Sequence, residues 1–265
     1  MVALAVVAGA VGCQDGDGGT KAAGASATAQ PGARATQSPE EAAKAVRAAY
    51  ARTSAAKSAK VEMRLTVGGG KAPGGSTFTG VQAWGPVAAD LKVFDSSYLA
   101  DIPGAPVETR VVTAGEATYV DLGEGLTAQT GGKRWLKVEA GGAAGGDELM
   151  VQLTGGLTAA SMDLPKELGL LAGSSAVKHL GPVQGGDVKA EAYEGELPRG
   201  GRMEVWIGPD GYPVQTVIDT ETDGGGAMTT LTTKYSDFGA EAAVQAPPAG
   251  ETVAFVDLLK RLGRG

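Results

Sequence analysis

Two hydrophobic spacings alternate along this chain from Ser38 onward, and each change from one to the other marks an element. Ser38-Pro39-Glu40-Glu41 reads as a helix start: Ser38 can cap the free amides, Pro39 suits the first helical position, and Glu41 completes an S-x-x-E box. The helix is expected to run to about Ala56, with Ala42, Val46, Ala49, Tyr50 and Thr53 forming one face at three- and four-residue spacing. From Lys60 the period becomes two. Val61, Met63, Leu65 and Val67 alternate with Glu62, Arg64 and Thr66, which is the pattern of a strand with one dry and one wet side. Strands are predicted next over Ser76 to Trp84, Val87 to Phe94, Val107 to Thr113, Ala117 to Leu122 and Arg134 to Val138. Glycine-rich turns separate them, which makes a meander.

Between Asp147 and Leu180 the alternation stops. Leu164, Leu168 and Leu171 recur at helical spacing behind Asp163, and Leu149 to Leu153 suggests a further short helix, so this stretch reads as an apolar helical insert across one mouth or face of the sheet. Strands resume over Val188 to Leu197, Met203 to Ile207, Val214 to Glu221 and Ala227 to Tyr235. The turn Gly208-Pro209-Asp210-Gly211 uses proline to preset φ and glycine to supply a left-handed position. After Ala246-Pro247-Pro248 a final amphipathic helix carries Phe255, Leu258, Leu259 and Leu262. The sum is an α+β chain of about 10–11 antiparallel strands, and a length of 265 residues suits one such domain.

The first thirty-eight residues differ from the rest. Met1 to Gly12 is an uncharged apolar run, too short for the roughly 20 residues of a membrane-spanning helix but suited to a secretory h-region. Its end, Ala10-Val11-Gly12-Cys13, resembles the lipobox of bacterial lipoproteins, in which the cysteine is acylated and becomes the mature N-terminus. Leucine is usual where Ala10 stands. No Lys or Arg precedes the run, so a basic segment is expected upstream of Met1. Gln14 to Ser38 holds small and polar residues with no large apolar side chain, and reads as a flexible tether spanning about 28 Å. The expected organisation is a signal peptide at 1–12, a tether at 13–38 and one domain at 39–265.

Composition narrows the chemistry. A net charge of -7 and a pI near 4.9 argue against nucleic acid and against electrostatic docking to anionic lipid, so membrane attachment falls to acyl chains on Cys13. Gly at 43 and Pro at 13 imply many turns without reaching the fraction that marks disorder. Cys13 is the only cysteine, so the core holds without a disulfide. The Ala/Gly-heavy composition looks like that of a high-GC actinobacterium.

Catalytic signatures are absent. The single histidine, His179, has no G-x-S-x-G nucleophile elbow to serve and is expected at the surface or in a cap. Cys13 and His179 fall short of the four ligands of a structural zinc site. Asp219, Glu221, Asp223 and Gly224 imitate the start of a calcium loop, but Thr230 stands where the closing Glu belongs. Gly123-x-Gly125-x-x-Ala128 leads into further glycines rather than a helix, so the dinucleotide fingerprint fails. No cofactor, metal or enzymatic activity is expected.

Four segments together resemble the LppX/LprAFG family of actinobacterial lipoproteins, related in fold to LolA-type carriers: the opening helix with Ala59 to Val67; Tyr119-Val120-Asp121 with Trp135-Leu136-Lys137; Val205 to Pro213; and Tyr235-Ser236-Asp237-Phe238-Gly239. The resemblance implies a strongly curved antiparallel half-barrel with helices packed in its concave face, enclosing an apolar cavity for a lipid or lipoglycan. On the expected register Met203, Val205 and Ile207 point into that cavity with the insert residues Leu164, Leu168 and Leu171, while Arg202, Glu204 and Trp206 face out. Val61, Met63, Leu65, Leu91 and Val93 are the candidates from the first strands. Plain core packing is the competing reading of each, and a cavity needs only a subset.

The function so implied is a monomeric lipoprotein, anchored to the outer face of the cytoplasmic membrane, that carries or presents an acylated lipid at the envelope. The alternative is a sensor of the same fold that binds a membrane protein partner of the anti-sigma-factor type. The anchor is testable on its own, because two acyl chains hold a protein stably at a membrane where one does not. Cys13→Ala should move the protein from the membrane to the soluble fraction on cell fractionation; retention at parental levels would place the anchor elsewhere.

Overall fold

The computed structural model describes residues 37–68, 74–100, 103–139, 163–174, 176–185, 188–198, 200–221 and 228–261. The signal peptide, Cys13, the tether up to Thr36, the helix expected over Leu149 to Leu153, Asp223 and Gly224, and Leu262 lie outside these residues, as does the side chain of Leu259.

Helix α1 spans Pro39–Ala56, and its start is the capping box read from the sequence. Ser38 Oγ accepts from the Glu41 amide, and the Glu41 carboxylate accepts from the Ser38 amide at 2.8 Å. These bonds from Ser38 hold the Glu41 carboxyl below its ordinary pKa. Ala42, Val46, Ala49 and Thr53 are buried. Tyr50, expected on the same face, is 41% exposed, because its ring lies beside Gly169 at the helix flank.

Twelve strands follow: β1 Ser58–Gly68, β2 Gly74–Ala83, β3 Ala88–Phe94, β4 Thr109–Ala114, β5 Ala117–Asp121, β6 Trp135–Glu139, β7 Lys178–Gly185, β8 Val188–Leu197, β9 Gly201–Ile207, β10 Pro213–Glu221, β11 Met228–Ser236 and β12 Thr252–Ala254. Besides short turns of helix at Ser97–Ala100, Glu124–Leu126 and Ala249–Glu251, two further helices are present among the described residues, α2 at Leu164–Ala172 and α3 at Phe255–Arg261. The strands form one open, curved sheet in the order β12-β6-β5-β4-β3-β2-β1-β11-β10-β9-β8-β7, antiparallel except where β12 runs parallel to β6. It is not closed into a barrel. The first and last thirds of the chain meet through β1 and β11, which pair from Lys60↔Ser236 to Gly68↔Met228.

Two strands exceed the expected set. Strand β7 falls in the stretch read as helical insert up to Leu180; a register shift between His179 and Gly181, together with Pro182, breaks its alternation, and both features suit an edge strand. Strand β12 is three residues long and pairs only through its neighbour β6.

One sheet face carries all three helices and is apolar. A row across it runs Val93, Phe78, Met63, Thr233, Thr216, Val205, Tyr193, His179, each residue opposite the next in the register. The other face carries ion pairs. Arg110 meets Asp90, Arg134 meets Asp121, and Arg202 bridges Glu194 and Asp219. Arg202 and Glu204 lie on this outer face as expected. Trp206 also points outward yet is only 6% exposed, because Ala190, Ala192 and Gly185 form a shallow bed for its ring and Leu180, Val183 and Val214 close around it.

Gly80 on β2 leaves no room for a side chain against β3. A Cβ there would sit 2.0 Å from the Asp90 carbonyl oxygen, an atom of backbone that cannot swing aside. Gly80→Ala should therefore cost at least about 1–3 kcal/mol, the range of an overpacked core. A chemical-denaturation midpoint equal to the parent's would show that the strands separate freely at this point.

Candidate functional site

The inner face holds two apolar clusters, each with its own helical cover. In the first, Val61, Met63 and Leu65 from β1 and Leu91 and Val93 from β3 pack with Phe78 and Leu136 beneath Phe255 and Leu258 of α3. In the second, Met203 and Val205 from β9 pack with Leu164, Leu168 and Leu171 of α2 and with Ala42 and Val46 of α1, while Ile207 is partly covered at its edge. All eleven residues expected inside the concavity thus reach the inner face, but in two groups.

Local sequence explains how α2 is seated. Asp163 caps it by accepting from the Lys166 amide, and Pro165 stands in the first turn. Gly195 on β8 leaves room for Leu171, whose Cδ1 would be 2.6 Å from a Cβ at that position. Gly169 faces the Tyr50 ring of α1. Glu167, two residues earlier and so about 200° around the helix, lies on the opposite flank, away from α1.

Strands β10 and β11 run between the clusters. Tyr235 is the residue, among those described, that packs against both, and it remains partly exposed. Its hydroxyl lies 3.2 Å from Thr216 Oγ1, and Thr233 also hydrogen-bonds to it. Both threonines are buried. Ile218, which opposes Met203 on one side and Leu231 on the other, is inward-facing and likewise only partly covered. The result is a lane of inner face between the clusters, with Tyr235 and Ile218 partly covered at its ends and Thr216 and Thr233 buried between them.

The electrostatics of this lane come from burial. Desolvation pushes the Tyr235 hydroxyl up to about 12 against the pull of Thr216 and Thr233, and the nearby Glu167 carboxylate adds to the rise. Tyr235 is therefore a neutral hydrogen-bonding group at any physiological pH. Burial also raises the Glu167 carboxyl; Lys166 opposes the shift and Asp163 adds to it.

At the α1 end of the lane, aromatic rings gather from segments far apart in sequence. Tyr212 stacks on Phe238 at 4.3 Å, Phe238 meets Tyr235 and Trp84, and Arg52 lies 5.0 Å over the Tyr212 ring. The turn Gly208 to Gly211 and the segment Tyr235 to Gly239 are thereby joined. Trp84 Nε1 donates to the Thr53 carbonyl at 2.8 Å, which ties α1 to this corner.

His179 is buried at 2% exposure, contrary to the surface position expected for it. It faces inward opposite Tyr193, where its Nε2 lies 2.7 Å from Glu191 Oε2 and its ring 5.1 Å from that of Tyr193. Tyr193 in turn hydrogen-bonds Gln37 just ahead of α1. Through Tyr193 and Gln37 this group acts as a fastening for the start of α1. Among the described residues no cluster of His, Cys, Asp and Glu could hold a metal ion, and no helix is long and apolar enough to cross a membrane.

Two depressions of about 450 and 460 Å³ open on the outer face, around Lys60, Glu62 and Glu241 and around Lys92, Glu108 and Arg110. Their cations are already matched, Lys60 with Asp237, Lys92 with Glu108 and Arg110 with Asp90. They have the character of a solvated, salt-bridged surface.

No family model matches the chain, and no curated protein does. Among solved structures it is similar to LprF from Mycobacterium bovis, at 16% identity and a TM-score of 0.45 over 80% of this chain and 99% of that one. It is also similar to the lipoprotein LppX from Mycobacterium tuberculosis, at 15% identity and a TM-score of 0.49 over 78% and 100%. MucB matches at 12% identity and a TM-score of 0.38 over 78% of this chain and 63% of that one. At these values the likenesses decide neither family nor function.

Sequence reasoning found the inner aliphatic residues and missed the polar floor. A usable signal was present: Thr216 and Thr233 stand at inward positions of strands whose neighbours carry Val205 and Met63 there, and Glu167 interrupts the apolar stripe of α2.

The raised Glu167 carboxyl fixes a sign. An acid whose folded-state pKa lies above its unfolded value supports the fold below the unfolded pKa and loses that support as pH rises through the folded one. At neutral pH the ionised side chain therefore costs stability. Glu167→Gln should melt higher than the parent at pH 7, with the gain vanishing below about pH 4. A melting temperature at pH 7 equal to or below the parent's would mean that the carboxylate is stabilised by a partner.

Proposed function

We propose that the chain is a non-enzymatic, extracytoplasmic lipoprotein that holds the acyl part of a lipid on the inner face of its sheet and carries or presents it at the cell envelope. The observation that supports this reading is the lane at Tyr235 and Ile218. These inward-facing side chains touch the apolar clusters, yet three helices leave them half-covered. An alkyl chain laid there leaves water at a gain of about 0.8 kcal/mol per CH₂, so a stretch of four or five carbons is worth roughly 3–4 kcal/mol. Acylated Cys13 would hold the protein at the outer face of the cytoplasmic membrane, and the tether would let the domain reach that surface.

Opening the lane further requires only that α2 or α3 shift, since each covers one cluster and neither spans both. Val61, Met63, Leu65, Leu91 and Val93 on one side, and Met203, Val205, Ile207, Leu164, Leu168 and Leu171 on the other, would then line a wider cavity. In the closed arrangement most of them pack as core.

The test uses secreted Cys13→Ala protein. Mass spectrometry of its organic extract should find a co-purified acyl lipid, and a neutral dansyl-alkyl amide should bind with enhanced fluorescence. Ile218→Trp fills the lane and should weaken that probe more than a hundredfold, the equivalent of four or five buried CH₂ groups. Val205→Trp, at a fully covered site, should instead lower the melting temperature. Folded Ile218→Trp protein that binds the probe like the parent would refute the lane as the acyl site.

A further inference from the structure

We propose that the solvent-facing side of α1 and α2 is a docking surface for an anionic lipid bilayer, which Lys44, Arg47, Lys57 and Lys166 meet by charge and Tyr50 and Leu170 by apolar contact. It goes beyond the acyl-site reading above and borrows from it only the anchor at Cys13.

The first observation is a local reversal of charge. Between Ala42 and Ser58 the chain holds Lys44, Arg47, Arg52 and Lys57 and no acidic residue, in a protein whose net charge is -7. Lys44, Arg47 and Ala51 stand at three- and four-residue spacing on the side of α1 opposite the buried Ala42, Ala49 and Thr53, and all three are exposed. Lys166 and Leu170, one turn apart and both exposed, form the matching ridge on α2. The acids of the two helices, Glu40, Glu41, Asp163 and Glu167, stand at the helix starts, where they offset the positive end of each helix. On the sheet Lys60, Lys92, Arg110, Arg134, Lys137 and Arg202 are all ion-paired, whereas Lys44, Arg47, Lys57 and Lys166 form no ion pair with a described residue. The second observation is apolar. Of the six large apolar side chains exposed among the described residues, Tyr50 and Leu170 fall on this face. The Tyr50 ring lies in the crevice between the helices beside Gly169, and Leu170 is the next residue along α2. A tyrosine so placed, with an apolar ring and a polar tip, suits the headgroup depth of a bilayer.

The occupant follows from the charge and from where the chain ahead of α1 leads. The segment Gln14 to Ser38, with a reach of about 28 Å, would join the acyl anchor at Cys13 to the cap of α1, so the helix nearest the anchor in sequence is the one that carries the cations. A short tether sets an effective concentration in roughly the millimolar range, and weak docking then suffices to orient the domain. The net charge speaks against anionic lipid for the chain as a whole, yet a surface potential at 0.1 M salt reaches only about 10 Å. A layer of helix is itself about 10 Å thick, so the acids of the outer sheet face lie beyond that reach. A second copy of this chain, paired through a two-fold axis at this face, would set Lys44 and Arg47 against their own equivalents, and like charges repel. Docked on a bilayer, the helical cover of the lane faces the lipid, and an acyl chain passes between bilayer and inner face with little exposure to water.

The experiment is co-sedimentation of Cys13→Ala protein, which lacks the anchor, with vesicles of phosphatidylcholine alone or mixed with an equal part of phosphatidylglycerol. At low salt the protein should bind the mixed vesicles and not the neutral ones, and high salt should release it. Lys44→Gln with Arg47→Gln should weaken that binding about twenty-fivefold, roughly fivefold for each basic side chain removed from the surface. Leu170→Glu, which takes away an apolar side chain and adds a charge of the wrong sign, should weaken it by at least about fivefold. All three substitutions are at exposed sites and should leave the melting temperature unchanged. Lys92→Gln with Lys137→Gln removes as much charge from the outer face and should bind like the parent. Equal binding to neutral and anionic vesicles, or an equal loss in the outer-face variant, would overturn the proposal. A parent that sediments as a dimer in the absence of vesicles, and as a monomer once Lys44 and Arg47 are replaced, would assign the face to a second copy instead. The dansyl-alkyl amide reads the acyl site separately: the Lys44→Gln, Arg47→Gln protein should bind it like the parent. A parent that binds anionic vesicles but not the probe would sink the carrier reading and leave the docking surface standing.

Discussion

Everything in this molecule follows from one sheet face that has to be kept from water. Twelve strands in a single open sheet present an inner surface lined by Val, Leu, Met and Phe, and the sheet does not close on itself to hide it. Burial of that surface is the main source of stability available to a chain without a disulfide. Among the described elements α1, α2 and α3 supply cover, and Leu126 of the short turn Glu124–Leu126 adds to it over the first cluster. They divide the work, α1 and α2 over the β8 to β10 side and α3 over the β1 to β6 side, and the division leaves β10 and β11 with the thinnest roof.

That thin roof is furnished with polar groups where a pure core would have none. Thr216, Thr233 and the Tyr235 hydroxyl satisfy one another, so they carry little desolvation penalty as they stand. Glu167 is different, since its charge lies partly out of water with no partner to offset the cost. On the outer face, by contrast, charged side chains sit in matched pairs.

The cover on the α1 side is fastened at both ends. At its start Gln37 reaches Tyr193, which packs on the buried His179 and so on Glu191. At its end Trp84 grips the Thr53 carbonyl and Arg52 lies over Tyr212. Helix α3 rests on fewer supports, chiefly Phe255 and Leu258 and the short parallel strand that leads into it. If the lane widens, this unequal fastening favours movement on the α3 or α2 side over movement of α1.

Strand period, helix caps and turn chemistry are local properties, and the sequence by itself determined them. The alternation of Val61, Met63 and Leu65, the box at Ser38 and Glu41, the cap at Asp163 and the turn at Gly208 to Gly211 each took the form their own few residues dictate. The apolar candidates for the inner face were legible for the same reason, because a period of two assigns sides without knowing the neighbours. Three things needed the tertiary structure. Strand β7 hides its pattern behind a bulge and a proline, so only its pairing with β8 shows it to be a strand. The burial of His179 and Trp206 depends on neighbours from other strands, Tyr193 and Glu191 for the first and a bed of Ala and Gly for the second. The meeting of Thr216 with Tyr235 joins two strands, and no periodicity within one element can announce which of its inward residues meet across the sheet.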